Sequence, residues 1–277
     1  MKVVVKLLFS AVLIYFVFRQ IDTKELINIL KSINISFFLI SLIFYTLSKA
    51  LSAVRLNYYF KEIDIDLPLW QNLRLYFVGM FYNLFLPGGI GGDGYKAYLL
   101  KKYYNQKLAP ILKALLFDRV SGLIALIFLA MLLFVFSQYA IISLKYLAIL
   151  GVLLVYPIFF LVSRYFNLFM KYFNITSFLG IGVQLLQLLS AVAIIYALPQ
   201  KLPLIEFLVL FLISSVVAVL PLTIGGVGIR ELTFLYGLNY INVNASNGVA
   251  FSFLFFIITM LSSLIGLFFL HNPIKKV

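Results

Sequence analysis

Nine residues in this chain are acidic, and only Asp93, Asp118, Glu206 and Glu231 lie in or beside apolar segments. An ionisable group at membrane depth costs ~2.5–3.5 kcal/mol on insertion scales, so it faces a partner or a wet cavity. Two of the four have a basic neighbour, in Asp118-Arg119 and Arg230-Glu231. Consecutive helical residues point about 100° apart and do not face each other, so each charge is expected to reach another helix. One such combination pairs Arg230 with Asp93 and Arg119 with Glu231. The set is not catalytic in kind. The sequence offers no Ser/His/Asp arrangement, no metal-ligand cluster and no paired carboxylates in a polar setting, so neither an enzyme nor a cofactor is expected.

Three of these charges sit in or next to a motif that occurs twice. Pro87-Gly-Gly-Ile-Gly-Gly-Asp-Gly-Tyr-Lys96 returns 134 positions later as Pro221-Leu-Thr-Ile-Gly-Gly-Val-Gly-Ile-Arg230. The motif glycines are Gly91, Gly92 and Gly94 in the first copy and Gly225, Gly226 and Gly228 in the second. Two readings stand side by side. In one, the glycines let backbone N–H groups approach a ligand, the following helix presents its positive N-terminal end, and Lys96 or Arg230 completes an anion site, with Asn83 and Tyr82 lining it. In the other, the proline ends a helix, the glycines permit a tight reversal and close packing, and Asp93 caps the next helix. Paired glycine-rich interruptions at matching places in two halves of a membrane protein point to a transporter's binding site.

The elements that must hold these residues are membrane helices. Hydrophobic residues make up 64% of the 277 and mean hydropathy is +1.10, more apolar surface than a soluble fold can hide. A single transmembrane domain over 1–277 is expected. With no cysteine and one histidine, His271, disulfides and a histidine metal site are excluded. The net charge of +13 lies in short loops between apolar runs, which fits membrane topology and not nucleic acid. The densest basic cluster, Lys96, Lys101, Lys102, Lys107 and Lys113, is interleaved with tyrosines and suits an anionic lipid surface.

Apolar runs predict full spans near Val3–Phe18, Phe37–Val54, Val120–Ser137, Tyr146–Val162, Phe178–Leu198 and Val249–Leu270, with an interfacial helix over Asp22–Ser36. Val3–Phe18 follows two lysines but precedes no small-residue cleavage site, and reads as a retained helix. Leu69–Leu86 and Leu204–Leu220 either cross or dip in and return. Leaving out Lys49, Arg74 and Arg119 as intramembrane, 8 Lys/Arg fall inside and 11 outside if both cross, whereas two re-entrant segments give 13 inside and 6 outside, and only the second obeys the positive-inside rule. The expected fold is therefore all-α and polytopic, with about six full spans, two re-entrant segments and both termini cytoplasmic in a cell membrane. Its halves, roughly 36–137 and 178–270, form an inverted internal repeat.

At the two motifs the sequence resembles the lysylphosphatidylglycerol synthase transmembrane-region family, also called flippase-like or UPF0104. The matching stretches are Asn83 to Leu100, Asp118-Arg119 and Leu220 to Glu231. Asp118 stands where glutamate is common in that family. Members fused to an aminoacyl-tRNA-dependent transferase make lysyl-phosphatidylglycerol and move it across the membrane. The 277 residues leave no room for that soluble domain, so the resemblance implies the translocating part. Its partners would be membrane lipids, anionic or glycosylated, of the phospholipid or polyprenyl-phosphate type, with the headgroup held between the motifs. The alternative is a non-transporting scaffold or lipid-supplying partner of a separate glycosyltransferase or synthase. A homodimer or a partner membrane enzyme is compatible with either, and a solute transporter ranks third.

Overall fold

The computed structural model describes residues 15–17, 19–20, 22–85, 91–104, 106–219, 226–271 and 273–274. These are all-helical, with no strand among them: α1 Thr23–Lys31, α2 Ile35–Lys61, α3 Leu69–Phe85, α4 Gly91–Tyr104, α5 Leu108–Phe136, α6 Ile142–Tyr165, α7 Phe173–Ala197, α8 Leu204–Val219, α9 Ile229–Tyr240 and α10 Ala245–Leu264, which runs into a 3-10 turn over Ile265–Phe269. Five helices are long and apolar enough to cross a membrane, namely α2, α5, α6, α7 and α10 with its 3-10 extension. The run expected at Val3–Phe18 lies largely outside the described residues.

Local chemistry sets several boundaries. Asp22 accepts the Lys24 and Glu25 N–H groups and starts α1. Asn34 accepts those of Ser36 and Phe37 and starts α2, so the polar helix expected over Asp22–Ser36 ends three residues before a second N-cap begins a new helix. Two spans are longer than their apolar runs. Helix α2 continues past Val54 to Lys61 and buries Arg55, Asn57 and Tyr59 in its last turns, while α5 begins at Leu108. Pro110 is tolerated there because first-turn N–H groups have no intrahelical partner.

Helices α2 and α7 run antiparallel along their whole length. Asn34 N–H donates to Ala197 O at 2.8 Å at one end, and Tyr58 meets Tyr172 at the other, with ring centroids 5.2 Å apart. Between them Ser41 and Ser190 exchange bonds, each hydroxyl donating to the other's carbonyl at 2.8 and 3.0 Å. The hairpins α3–α4 and α8–α9 lie at opposite ends of this pair. Helix α3 starts at the Tyr58 end, where Trp70 packs on Phe269, and the chain after α4 returns there, Gln106 donating to Ile63 O. Helix α8 starts at the Asn34 end, where buried Glu206 accepts the Gln138 N–H at 3.2 Å. Helix α9 finishes there, with Tyr240 beside Glu206 in one cavity wall.

Each hairpin has its own apolar core. Around α3–α4 it comprises Tyr59, Phe60, Leu75, Leu100 and Ile111, and around α8–α9 it comprises Phe207, Phe211, Phe234, Phe251 and Phe255. Helix α6 instead leaves Leu147, Leu150, Leu153 and Leu161 exposed, as suits a lipid-facing surface.

Candidate functional site

At the first motif two backbones touch. A Cβ added to Gly92 would lie 1.9 Å from Gly79 O, so α3 and α4 approach more closely than any side chain allows. Asn83 Oδ1 accepts the Gly92 N–H at 2.8 Å, closing the hairpin. The same bond caps the start of α4. Gly94, by contrast, faces open space, and Gly91 is half-buried as the first residue of α4.

The charges of the first half satisfy one another. Lys96 passes Gly79, where a Cβ would meet its Cε at 2.4 Å, lies over the Tyr76 ring at 4.3 Å and donates to Asp93 at 3.1 Å. The other oxygen of Asp93 accepts Arg119 Nε at 2.5 Å. One turn away Arg55 Nε donates to Asp118 at 2.8 Å, with the two residues 4% and 6% exposed. The guanidinium fits a cradle of small residues, since a Cβ on Gly122 or Gly180 would lie 3.1 or 3.4 Å from it.

The second motif is built differently. Gly226 and Gly228 have φ of +82° and +88°, a region that side chains strain to enter. Gly228 precedes α9, and its N–H donates to Glu231 Oε2 at 2.6 Å while Ser252 Oγ donates to Oε1 at 2.9 Å. A carboxylate of the chain therefore already occupies the positive end of this helix. Arg230 Nη1 donates to Ser214 and Ser215 at 3.3 and 2.9 Å, and its guanidinium stands 5.0 Å from the Phe255 ring centroid. Gly225 lies outside the described residues.

The expected cross-motif pairing is thus corrected. Arg119 joins Asp93, not Glu231, and Arg230 rests on serines, not on Asp93. The reason is architectural: α4 packs on α5, which brings Arg119 to Asp93, while α9 packs between α8 and α10, which bring Ser214 and Ser215 to Arg230 and Ser252 to Glu231.

Three hollows meet these charges. A polar cavity of about 100 Å³ is lined by Tyr45, Lys49, Gln187, Arg230, Glu231 and Thr259 among others. It adjoins an apolar cavity of about 370 Å³ reaching Val17, Leu26, Leu30, Val249 and Phe253, and the two share Val227, Glu231 and Phe256. At the first motif a groove of about 430 Å³ has Asp93 and Arg119 at one side and Leu112, Leu115, Leu116 and Leu123 along the rest. Both apolar hollows reach the surface, at exposed Leu112 and Leu116 in one and Ile27 and Phe253 in the other. Asp93, Leu115 and Arg119 in the groove stand 134 positions before Val227, Val249 and Phe253 in the cavity, the same spacing that separates the two motifs.

Sequence reasoning missed Lys49, Gln187 and the two serines under Arg230. Lys49 carried a signal, because a lysine within an apolar run is a functional candidate by default. Arg55 carried none, as it stood just beyond the expected end of its span.

Two comparisons bear on this arrangement. The family described as "Lysylphosphatidylglycerol synthase TM region" matches residues 3–266. The UPF0104 membrane protein PH1989 of Pyrococcus horikoshii is 26% identical over 116 residues, which are 41% of this chain and 35% of that protein; the match thus spans about a third of the relative. With its family match running almost end to end over an all-helical, multi-span fold, the chain belongs to the lysylphosphatidylglycerol synthase transmembrane-region family of integral membrane proteins.

Proposed function

We propose that this protein moves an amphiphile with an anionic or glycosylated headgroup between the leaflets of a cell membrane, without a catalytic step of its own. In this reading α3–α4 and α8–α9 are re-entrant hairpins that enter from opposite faces as parts of an inverted repeat. One observation carries it: each hairpin sets a carboxylate, Asp93 or Glu231, with a cation close by, against an apolar, surface-reaching hollow, and the two hollows share three lining positions at the repeat spacing. Such a hollow offers an acyl chain an apolar wall and a headgroup a polar end.

Orientation follows from the basic residues. Lys61, Lys101, Lys102, Lys107, Arg164 and Lys171 flank the helix ends near Tyr58, whereas Lys24, Lys31, Lys145 and Lys201 flank those near Asn34. The first group is proposed to be cytoplasmic, and both termini with it. The test is reconstitution of the purified chain in vesicles carrying fluorescent phosphatidylglycerol, with bleaching by external dithionite. Bleaching beyond the outer-leaflet fraction supports translocation, and bleaching equal to that of protein-free vesicles refutes it. The scaffold reading draws on one observation, the mutual neutralisation of Lys96, Asp93 and Arg119, and would show itself as a partner membrane enzyme that co-purifies with a transport-inactive protein.

A further inference from the structure

We infer that the polar cavity at the second motif is a phosphate-reading site, in which Lys49 and Arg230 together bind the phosphodiester of a lipid and the sugar or amine beyond it is not read. This rests on the proposed function only in taking the ligand to be a lipid.

Lys49 lies at the middle of the 27-residue α2, and Arg230 stands just inside α9, at the tip of the second hairpin. Every Asp and Glu of the chain belongs to the described residues, and none comes within ion-pair distance of either cation. Both serine bonds of Arg230 fall on Nη1, leaving Nε and Nη2 without a hydrogen bond among the described groups. The Gln187 amide adds a neutral donor to the same wall. Glu231 also lines the cavity, but its two oxygens are engaged by Gly228 and Ser252. Formal charge there is therefore plus one, which matches a monoanionic phosphodiester.

The lining favours an oxyanion over a sugar. The polar cavity is compact, about 100 Å³ against about 370 Å³ for its apolar neighbour, and sets two cations on its wall. Sugars also stack on open aromatic faces. Here Tyr45 already carries Lys49 at 4.6 Å and Phe255 carries Arg230 at 5.0 Å. The adjoining apolar cavity, which shares Val227, Glu231 and Phe256, receives the acyl chain.

The first motif shows why the second is open. Lys96 holds the repeat position of Arg230 and is closed by Asp93 three residues before it. The residue three before Arg230 is Val227. The second copy thus lacks the internal carboxylate that fills the first, and an external anion takes its place.

The experiment measures lipid binding to the full purified chain in detergent by native mass spectrometry. Its probes are phosphatidylglycerol, a monoglucosyl diacylglycerol and inorganic phosphate. Phosphatidylglycerol should bind, and Lys49→Gln, Arg230→Gln and Val227→Asp should each weaken it at least tenfold, while Lys201→Gln on the exposed surface leaves it unchanged. Val227→Asp supplies Arg230 with a carboxylate, so its melting temperature should hold; Lys49→Arg should retain binding if Lys49→Gln fails to fold. Unchanged affinity in Lys49→Gln and Val227→Asp, or glucolipid bound as tightly as phosphatidylglycerol, overturns the inference. Inorganic phosphate bound with the same variant dependence, in the absence of lipid binding, supports the phosphate site and overturns its lipid source. Variant-sensitive binding without bleaching in the vesicle assay leaves this inference standing and removes the transport reading, whereas bleaching in all variants with unchanged binding does the reverse.

Discussion

Asp118→Asn removes the one carboxylate that meets Arg55 inside the helix bundle. Arg55 is 4% exposed and Asp118 6%, so water has little access to replace the lost partner, and Arg55 Nη1 has no hydrogen-bond acceptor among the described residues. Breaking a buried pair from one side costs about 3–5 kcal/mol, because the other charge is left in low dielectric. For a protein of this size about 1 kcal/mol corresponds to roughly 2–4 °C in melting temperature, so Asp118→Asn should lower it by about 6–20 °C. Replacing both partners by apolar residues of similar length, Arg55→Met with Asp118→Leu, removes the stranded charge and should recover most of that loss. Thermal unfolding of the wild type, Asp118→Asn, Arg55→Met, Asp118→Leu and the double mutant in one detergent, followed by circular dichroism and size exclusion, measures the coupling. A single-mutant loss under about 3 °C, or a double mutant as unstable as the two singles summed, would refute the claim that the pair acts as one buried unit.

The glycines separate by geometry. Gly92→Ala, whose Cβ would overlap Gly79 O, should reduce yield and stability sharply, while Gly94→Ala, facing open space, should be neutral or slightly stabilising. Gly226→Ala should cost on the order of 1–3 kcal/mol through its positive φ alone. For topology, single cysteines at Lys101 and Lys171 should resist an impermeant thiol reagent in intact cells while those at Lys201 and Asn242 react; labelling of position 101 from outside would sink the re-entrant assignment of α3–α4. Asp93→Asn should destabilise more than Lys96→Gln, because it removes the carboxylate that buried Lys96 meets, where the other leaves a carboxylate that Arg119 still neutralises.

Much of the fold was legible because the bilayer imposes it. Apolar run lengths located the five helices long and apolar enough to cross. The helical extensions escaped notice because α2 and α5 continue as polar or charged helix beyond their apolar runs, stabilised by packing against the first hairpin and not by composition. The site was half legible. Recurrence of the glycine motif marked both hairpins, and the sequence singled out Asp93, Lys96, Asp118, Arg119, Arg230 and Glu231, every one of which meets a specific partner. Which charge meets which was not legible, since four ionisable groups on three helices allow several pairings and only the docking of α5, α8 and α10 against α4 and α9 selects among them. The unequal fates of Lys96 and Arg230 turn on one position, Asp93 against Val227, whose meaning appears only when both cations are seen in place.

That inequality bears on the membrane potential. The cavity at the second motif holds Lys49 and Arg230 against Glu231 near the centre of α2, so when vacant it carries one formal positive charge, and with a monoanionic headgroup it carries none. An elementary charge carried through the whole field feels about 2.3 kcal/mol per 100 mV. Any movement of the vacant site along the field is then biased by voltage, while movement of the occupied site is not. If the site moves lipid as proposed, an interior-negative potential would draw it, when vacant, toward the negative side and leave the loaded passage electrically silent.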